Sequence, residues 1–276
     1  MFYENGPFLW EFGTIEPSLN PWAWTNLTNV LWIDQPIGTG YSTGTPTITG
    51  EEGLSRQFLG FWKNFVRTFD LYESKIYLVG ESYGGRYVPY IGTAMLDKND
   101  TRYYNFQSSL LIDALIADHV TQQTVGIVPY VEHWNSLFNL NNTFMDTINY
   151  ASDACGLDEY TADNLVFPGN PDANSTLPSA DMIYTYDGVV HSCGTLVDDI
   201  TAAITRINPC FQATHITAFC PLLFSSIGYP TFISEGPQKG LQKRVYEGEI
   251  YLNRQDVKKA LHAPEKEWIE CNQLGV

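Results

Sequence analysis

Apolar positions change their period several times along this chain. Residues 29–34 (Asn29-Val30-Leu31-Trp32-Ile33-Asp34) form a short apolar run that ends in Gln35-Pro36-Ile37-Gly38-Thr39-Gly40. That pattern predicts a buried strand followed by a glycine-rich turn. Over residues 50–70, Leu54, Phe58, Phe61, Trp62, Phe65 and Phe69 recur at helical spacing. They predict an amphipathic helix whose aromatic stripe faces a core. Lys75-Ile76-Tyr77-Leu78-Val79 predicts a second buried strand, residues 80–85 a sharp turn, residues 87–97 a helix, and residues 109–116 a further strand. Strand and helix in alternation imply a mostly parallel sheet with helices on both faces, the α/β class.

The pattern changes after about residue 118. Residues 120–150 are helical in parts, and residues 151–237 are rich in Pro, Gly, Asn, Asp and Cys. This stretch reads as an insertion or cap. From Tyr251 a clean pattern returns, with Asn253 placed to cap a helix carrying Val257, Ala260 and Leu261. The expected organisation is therefore a first core segment (1–118), a cap insertion (119–250) and a return to the core (251–276).

Composition narrows the classes. The 276 residues are 44% hydrophobic and 17% charged, a balance that supports a buried core rather than disorder. The net charge of −16 argues against nucleic acid, whose phosphates need basic patches. It suits solubility or an acidic compartment. No apolar run is long enough to span a bilayer, and the N-terminus has no signal-peptide pattern. Other features look secretory. Asn26, Asn99, Asn141 and Asn174 each open an N-glycosylation sequon. Four of the five cysteines (Cys155, Cys193, Cys210, Cys220) fall in the cap stretch and suggest local disulfides of open pairing, with Cys271 left over. No Cys or His spacing suggests a metal, and no cofactor is expected.

Chemistry concentrates at Gly80-Glu81-Ser82-Tyr83-Gly84, a G-x-S-x-G match with strand-forming residues before it and a helical segment after it. That is the context of a nucleophile elbow, in which a strained turn presents the Ser82 hydroxyl at the top of a sheet. The next backbone N–H, that of Tyr83, is then placed to form half of an oxyanion hole. A serine needs a base, and the base an orienting carboxylate. His119, His133, His191, His215 and His262 follow Ser82, yet none sits in a strand-end loop with an acidic partner. All five read as structural or surface residues, with His262 inside the last helix.

Longer strings now carry a resemblance. Glu4-Asn5-Gly6-Pro7-Phe8, Asn20-Pro21-Trp22-Ala23-Trp24, the run 29–42 ending in Gly38-Thr39-Gly40-Tyr41-Ser42, and Gly80-Glu81-Ser82-Tyr83-Gly84-Gly85-Arg86-Tyr87-Val88-Pro89 resemble the serine carboxypeptidase family, in a fungal form. Residues 253–262, then Trp268 and Cys271, resemble that family's segment after its cap. The resemblance implies an α/β-hydrolase core, a helical disulfide-containing cap, and release of the C-terminal residue from peptides and proteins. It implies Ser82 as nucleophile, Tyr83 as an oxyanion donor, and Glu4, with Asn5 and Gly6 of its motif, and Glu81 around the substrate's C-terminal carboxylate. Anions so close together require one carboxyl to keep its proton, so such binding works best in acid. It also implies a secreted or vacuolar, lysosome-like location.

Set against the family pattern, the segment Asn-Gly-Gly-Pro-Gly-Cys-Ser-Ser and the late catalytic Asp and His do not occur in these residues. The expectation is thus a homologue truncated at both ends, weakly active or inactive by itself, with Cys271 a free thiol. The alternatives are an acyltransferase using the same serine, or a peptide-binding remnant without catalysis.

Overall fold

A computed structural model of the chain describes residues 4–11, 13–221, 224–227 and 250–270. Cys271, expected to be a free thiol, lies outside the described residues. In chain order the regular elements are β1 (Phe8–Leu9), β2 (Ser18–Leu19), α1 (Glu51–Phe69), β3 (Ile76–Glu81), α2 (Gly84–Lys98), β4 (Phe106–Ile112), α3 (Ile127–Phe138), α4 (Asn142–Ala154), α5 (Leu157–Asn164), β5 (Ile183–Tyr186), β6 (Val189–Ser192), α6 (Leu196–Ile207) and α7 (Gln255–Leu261). The chain divides into two compact units, Ile33–Ile116 with Ala260–Val276, and Met1–Trp32 with Ala117–Lys259.

The first unit holds the alternating pattern. Helix α1 buries Leu54, Phe58, Leu59 and Val66, and Glu51 and Glu52 in its first turn suit the positive end of the helix dipole. It stops at Asp70, which is left-handed at φ 54° and donates its N–H to the Val66 carbonyl. Ile76, Ile91, Met95 and Tyr104 complete the core with partly buried Leu78, Trp62 and Phe106. Each such side chain contributes roughly 1.5–3 kcal/mol by leaving water. Trp62 Nε1 donates to the Tyr103 carbonyl at 2.8 Å, so its ring is buried without an orphaned N–H.

Strands β3 and β4 pair in parallel, from Ile76 opposite Phe106 to Glu81 opposite Ile112. They are the only parallel pair among the described residues; β1–β2 and β5–β6 are antiparallel hairpins. A mostly parallel sheet is therefore not formed by these residues. Residues 29–34, expected as a strand, join no ladder. Nor is the run buried, since Leu31 is 42% and Trp32 36% exposed; a ladder also needs a neighbouring strand, which an apolar run cannot specify. β3 is buried on one face only: Tyr77 is 62% exposed and Val79 42%.

The second unit is mainly helical, with Val128, Val131, Ile148, Leu157, Leu196 and Ile200 in its core. Asn141 caps α4 by accepting the Phe144 N–H at 2.9 Å. Two disulfides form inside the stretch expected to hold them, Cys155–Cys193 and Cys210–Cys220. The first ties the end of α4 to the turn before α6. Residues 151–220 are thus less irregular than their composition predicts, because α5, α6 and the β5–β6 hairpin lie within them.

Candidate active site

β3 delivers Glu81 and Ser82 to its C-terminal end, and α2 begins two residues later at Gly84. Between them Ser82 adopts φ 51°, a left-handed backbone that a residue with a Cβ rarely holds. Three backbone bonds over-determine it. The Ser82 N–H donates to the Ile112 carbonyl at 3.1 Å, and the Ser82 carbonyl accepts from Leu115 N at 2.8 Å and Gly85 N at 2.9 Å. Local strain of this kind persists only when the surroundings enforce it. The serine itself remains exposed. Within its unit no described residue hydrogen-bonds the Ser82 hydroxyl.

The glycines of the motif divide by role. A Cβ on Gly80 would lie 2.7 Å from the Gly84 carbonyl oxygen and 2.7 Å from Val88 Cγ2. One on Gly85 would lie 2.6 Å from Ala114 Cβ and 3.0 Å from Leu115 N. A Cβ on Gly84 would meet nothing within 4 Å. Close packing of strand against helix thus depends on Gly80 and Gly85. Gly85 stands one place beyond the G-x-S-x-G pattern, so the pattern alone does not single it out.

Tyr83 starts the helical turn at φ −62°, ψ −20°. Its ring meets Tyr87 edge-on at 5.1 Å, and the Arg86 guanidinium lies over it at 5.6 Å. Glu81 is exposed at the strand end beside Ser82.

Glu4, Asn5 and Gly6 belong to the other unit. Buried Asn20 organises them, with Nδ2 donating to the Glu4 and Gly6 carbonyls at 2.8 Å each. The Asn5 carbonyl accepts the Trp24 N–H at 3.0 Å, and Asn5 Oδ1 accepts from Trp32 Nε1 at 3.0 Å. Glu4, at φ 53°, is exposed. The Asn20-Pro21-Trp22-Ala23-Trp24 string is thus the scaffold of the Glu4 string, a link that neither shows alone.

The histidines serve locally. His191 stacks on Tyr184 at 5.1 Å and His133 meets Trp134 edge-on at 4.8 Å. His262 falls just past the end of α7, not inside it, at φ 51°. Asn26, Asn99, Asn141 and Asn174 are all exposed. Among the described residues no group of His, Cys, Asp or Glu could hold a metal ion. One contact escaped the sequence reading. Lys266 Nζ donates to the Gly38, Gly40 and Ser42 carbonyls, partners more than 220 positions away in the chain.

A family profile described as serine carboxypeptidase matches residues 1–275. A probable serine carboxypeptidase of Arthroderma benhamiae is 40% identical over 289 residues, covering 100% of this chain and 50% of its own. Serine-type carboxypeptidase F of Aspergillus niger is 40% identical over 275 residues, covering 99% of this chain and 48% of its own. This chain therefore spans about half the length of these relatives. A prohormone-processing carboxypeptidase from Saccharomyces cerevisiae superposes with a TM-score of 0.59 at 21% identity, over 98% of this chain and 54% of that one. That likeness shows a shared fold.

Proposed function

This chain belongs to the serine carboxypeptidase family, and on that premise we propose that it carries the nucleophile and part of the carboxylate site of a peptidase that releases C-terminal residues. The observation that carries the reading is Ser82 held at φ 51°, exposed, at the junction of β3 and α2.

In this reading Ser82 Oγ attacks the carbonyl carbon of the last peptide bond while a base takes its proton. The carbonyl π bond opens, and the oxyanion accepts a hydrogen bond from the Tyr83 N–H. The intermediate collapses, the C–N bond breaks, and the departing amine takes the proton from the base. Water then hydrolyses the ester left on Ser82. Glu4, with Asn5 and Gly6, and Glu81 are the residues this reading assigns to the substrate's terminal carboxylate. A net charge of −16, four sequons and two disulfides support a secreted or vacuolar location.

Exposure to a fluorophosphonate followed by intact-mass and peptide analysis tests the assignment. The label is expected on Ser82 alone and is lost in Ser82→Ala. It is expected to accumulate slowly in the 276-residue chain, because no described residue of its unit hydrogen-bonds the hydroxyl. Removing the partners of a triad serine costs on the order of 10⁴–10⁶ in rate. Labelling that survives Ser82→Ala overturns the nucleophile. Release of a C-terminal residue from a blocked dipeptide, unchanged by Ser82→Ala, overturns the reaction.

A further inference from the structure

Residues 33–50 cross the first unit without entering a helix or a regular strand. Their order at residues 36–42 depends on side chains brought from elsewhere. The carbonyls of Gly38, Gly40 and Ser42 converge on one point, occupied by Lys266 Nζ at 2.6, 2.9 and 2.9 Å. An ammonium has three donors and no acceptor, so this set uses all of them. Charge-assisted bonds of this length are among the strong ones.

Two further contacts close the turn. Asp34 Oδ2 accepts the Tyr41 N–H at 2.8 Å, and the Asp34 carbonyl accepts from Ser42 Oγ at 2.6 Å. Gly40 is left-handed at φ 53°, and a Cβ there would sit 2.2 Å from Asp34 Oδ2, so the carboxylate packs against bare backbone. The Gly40 N–H donates to the Ile269 carbonyl at 2.8 Å, three residues beyond Lys266. Burial draws the Lys266 ammonium below its ordinary pKa, and Asp34 pulls it back up.

We propose that turn 36–42 is a built site for a primary ammonium group and that Lys266 is its intramolecular ligand, the positioning residue that orders the turn. Ammonium fits better than a metal ion, since calcium takes roughly six to eight oxygens at about 2.3–2.6 Å and three carbonyls, two of them at 2.9 Å, do not supply them. The site sits close to the nucleophile's support. Ile33 before the turn and Ile48 after it pack on the core that contains Ile76 and Leu78 of β3. Order in the turn is therefore shared with the strand that leads into Ser82.

Amide hydrogen exchange over residues 36–45 tests the site in wild type, K266M, K266R and K266A. Loss of charge-assisted bonds to these carbonyls is expected to speed exchange at Gly40 and Tyr41 by about tenfold or more in K266M, with K266R intermediate. Methylammonium restores protection in K266A; tetramethylammonium, which has no N–H, does not. Exchange in K266M at the wild-type rate overturns the proposal, as does equal rescue by the two cations. If the variants do not fold, acylation of lysines in native wild type decides. Lys266 is expected to react about tenfold or more slowly than exposed Lys98, because its three donors are engaged. Equal rates overturn the proposal.

Discussion

At the scale of single residues, the elbow is a problem of space before it is one of chemistry. Ser82 can be left-handed because the residues around it lack bulk at two defined points, Gly80 and Gly85. Adding a methyl at either forces a backbone or core atom to move, and overpacking of this kind costs roughly 1–3 kcal/mol. Gly80→Ala and Gly85→Ala are therefore expected to lower the denaturation midpoint clearly. Gly84→Ala, with open space around its Cβ, is expected to be neutral or to stabilise the start of α2 by up to about 1 kcal/mol. Chemical denaturation of the three variants checks the ordering, and an equal loss in all three would sink it. The sharp turn at Ser82 and Tyr83 is legible from spacing and context alone. The need for Gly85 is not, because it comes from Ala114, which the chain brings back from 29 positions away. Lys266 is the extreme case, since a lone lysine in sequence looks like any solvated one until its carbonyl partners arrive from the far end of the chain.

Among elements, the ones read correctly are those whose cause is local. α1 spans Glu51–Phe69, as the recurrence of Leu54, Phe58, Phe61, Trp62, Phe65 and Phe69 predicts, but its stripe does not all face the core: Leu54 and Phe58 are buried while Phe61 and Phe69 are exposed. The expected strand over residues 29–34 failed for the opposite reason, because pairing is a property of two segments and only one was in view. The cap shows how composition misleads. Its Asn, Asp and Gly content suggested loops, yet several of those residues are caps. Gly156, left-handed at φ 72°, sits just before α5 and Asn208 closes α6, while Asn141, in the stretch expected to be partly helical, caps the start of α4. Asn141→Ala is expected to cost about 1 kcal/mol, the usual worth of such a cap, with Asn141→Asp close to wild type. The Cys155–Cys193 bond closes a loop of 38 residues. Its replacement by Ala is expected to destabilise the helical unit by roughly 3–4 kcal/mol, and Cys210–Cys220, with 10 residues, by less. Thermal unfolding of the single-disulfide variants, followed by near-ultraviolet circular dichroism, measures that difference. The reverse ranking would contradict the loop-closure account.

For the whole molecule the governing quantity is charge. With 31 acidic and 15 basic side chains, self-repulsion grows as carboxylates ionise. Individual carboxyls pull stability in opposite directions with pH. Asp163 is held below its ordinary pKa by hydrogen bonds from Ser175, and Asp256 by its hydrogen bond to Arg254. Their contributions are present above about pH 4 and are lost as pH falls through the lowered values. Glu270 works the other way. Its Oε2 is buried without a hydrogen-bond partner among the described residues, and burial raises its carboxyl above the ordinary value of 4.5. The folded chain then holds that proton more tightly than the unfolded chain does. The gain is complete below about pH 4.5 and disappears as pH rises through the raised value. Stability is thus expected to peak in mild acid, where Glu270 is protonated while Asp163 and Asp256 remain ionised. Melting temperatures measured from about pH 3 to about pH 8 should fall from mild acid toward neutrality, and Glu270→Gln should flatten that limb while leaving the acid limb in place. Glu270→Gln falling as steeply as wild type toward neutrality would mean that general repulsion alone sets the limb. A flattened limb would locate an acid preference in one buried carboxyl, four residues from the lysine that closes turn 36–42.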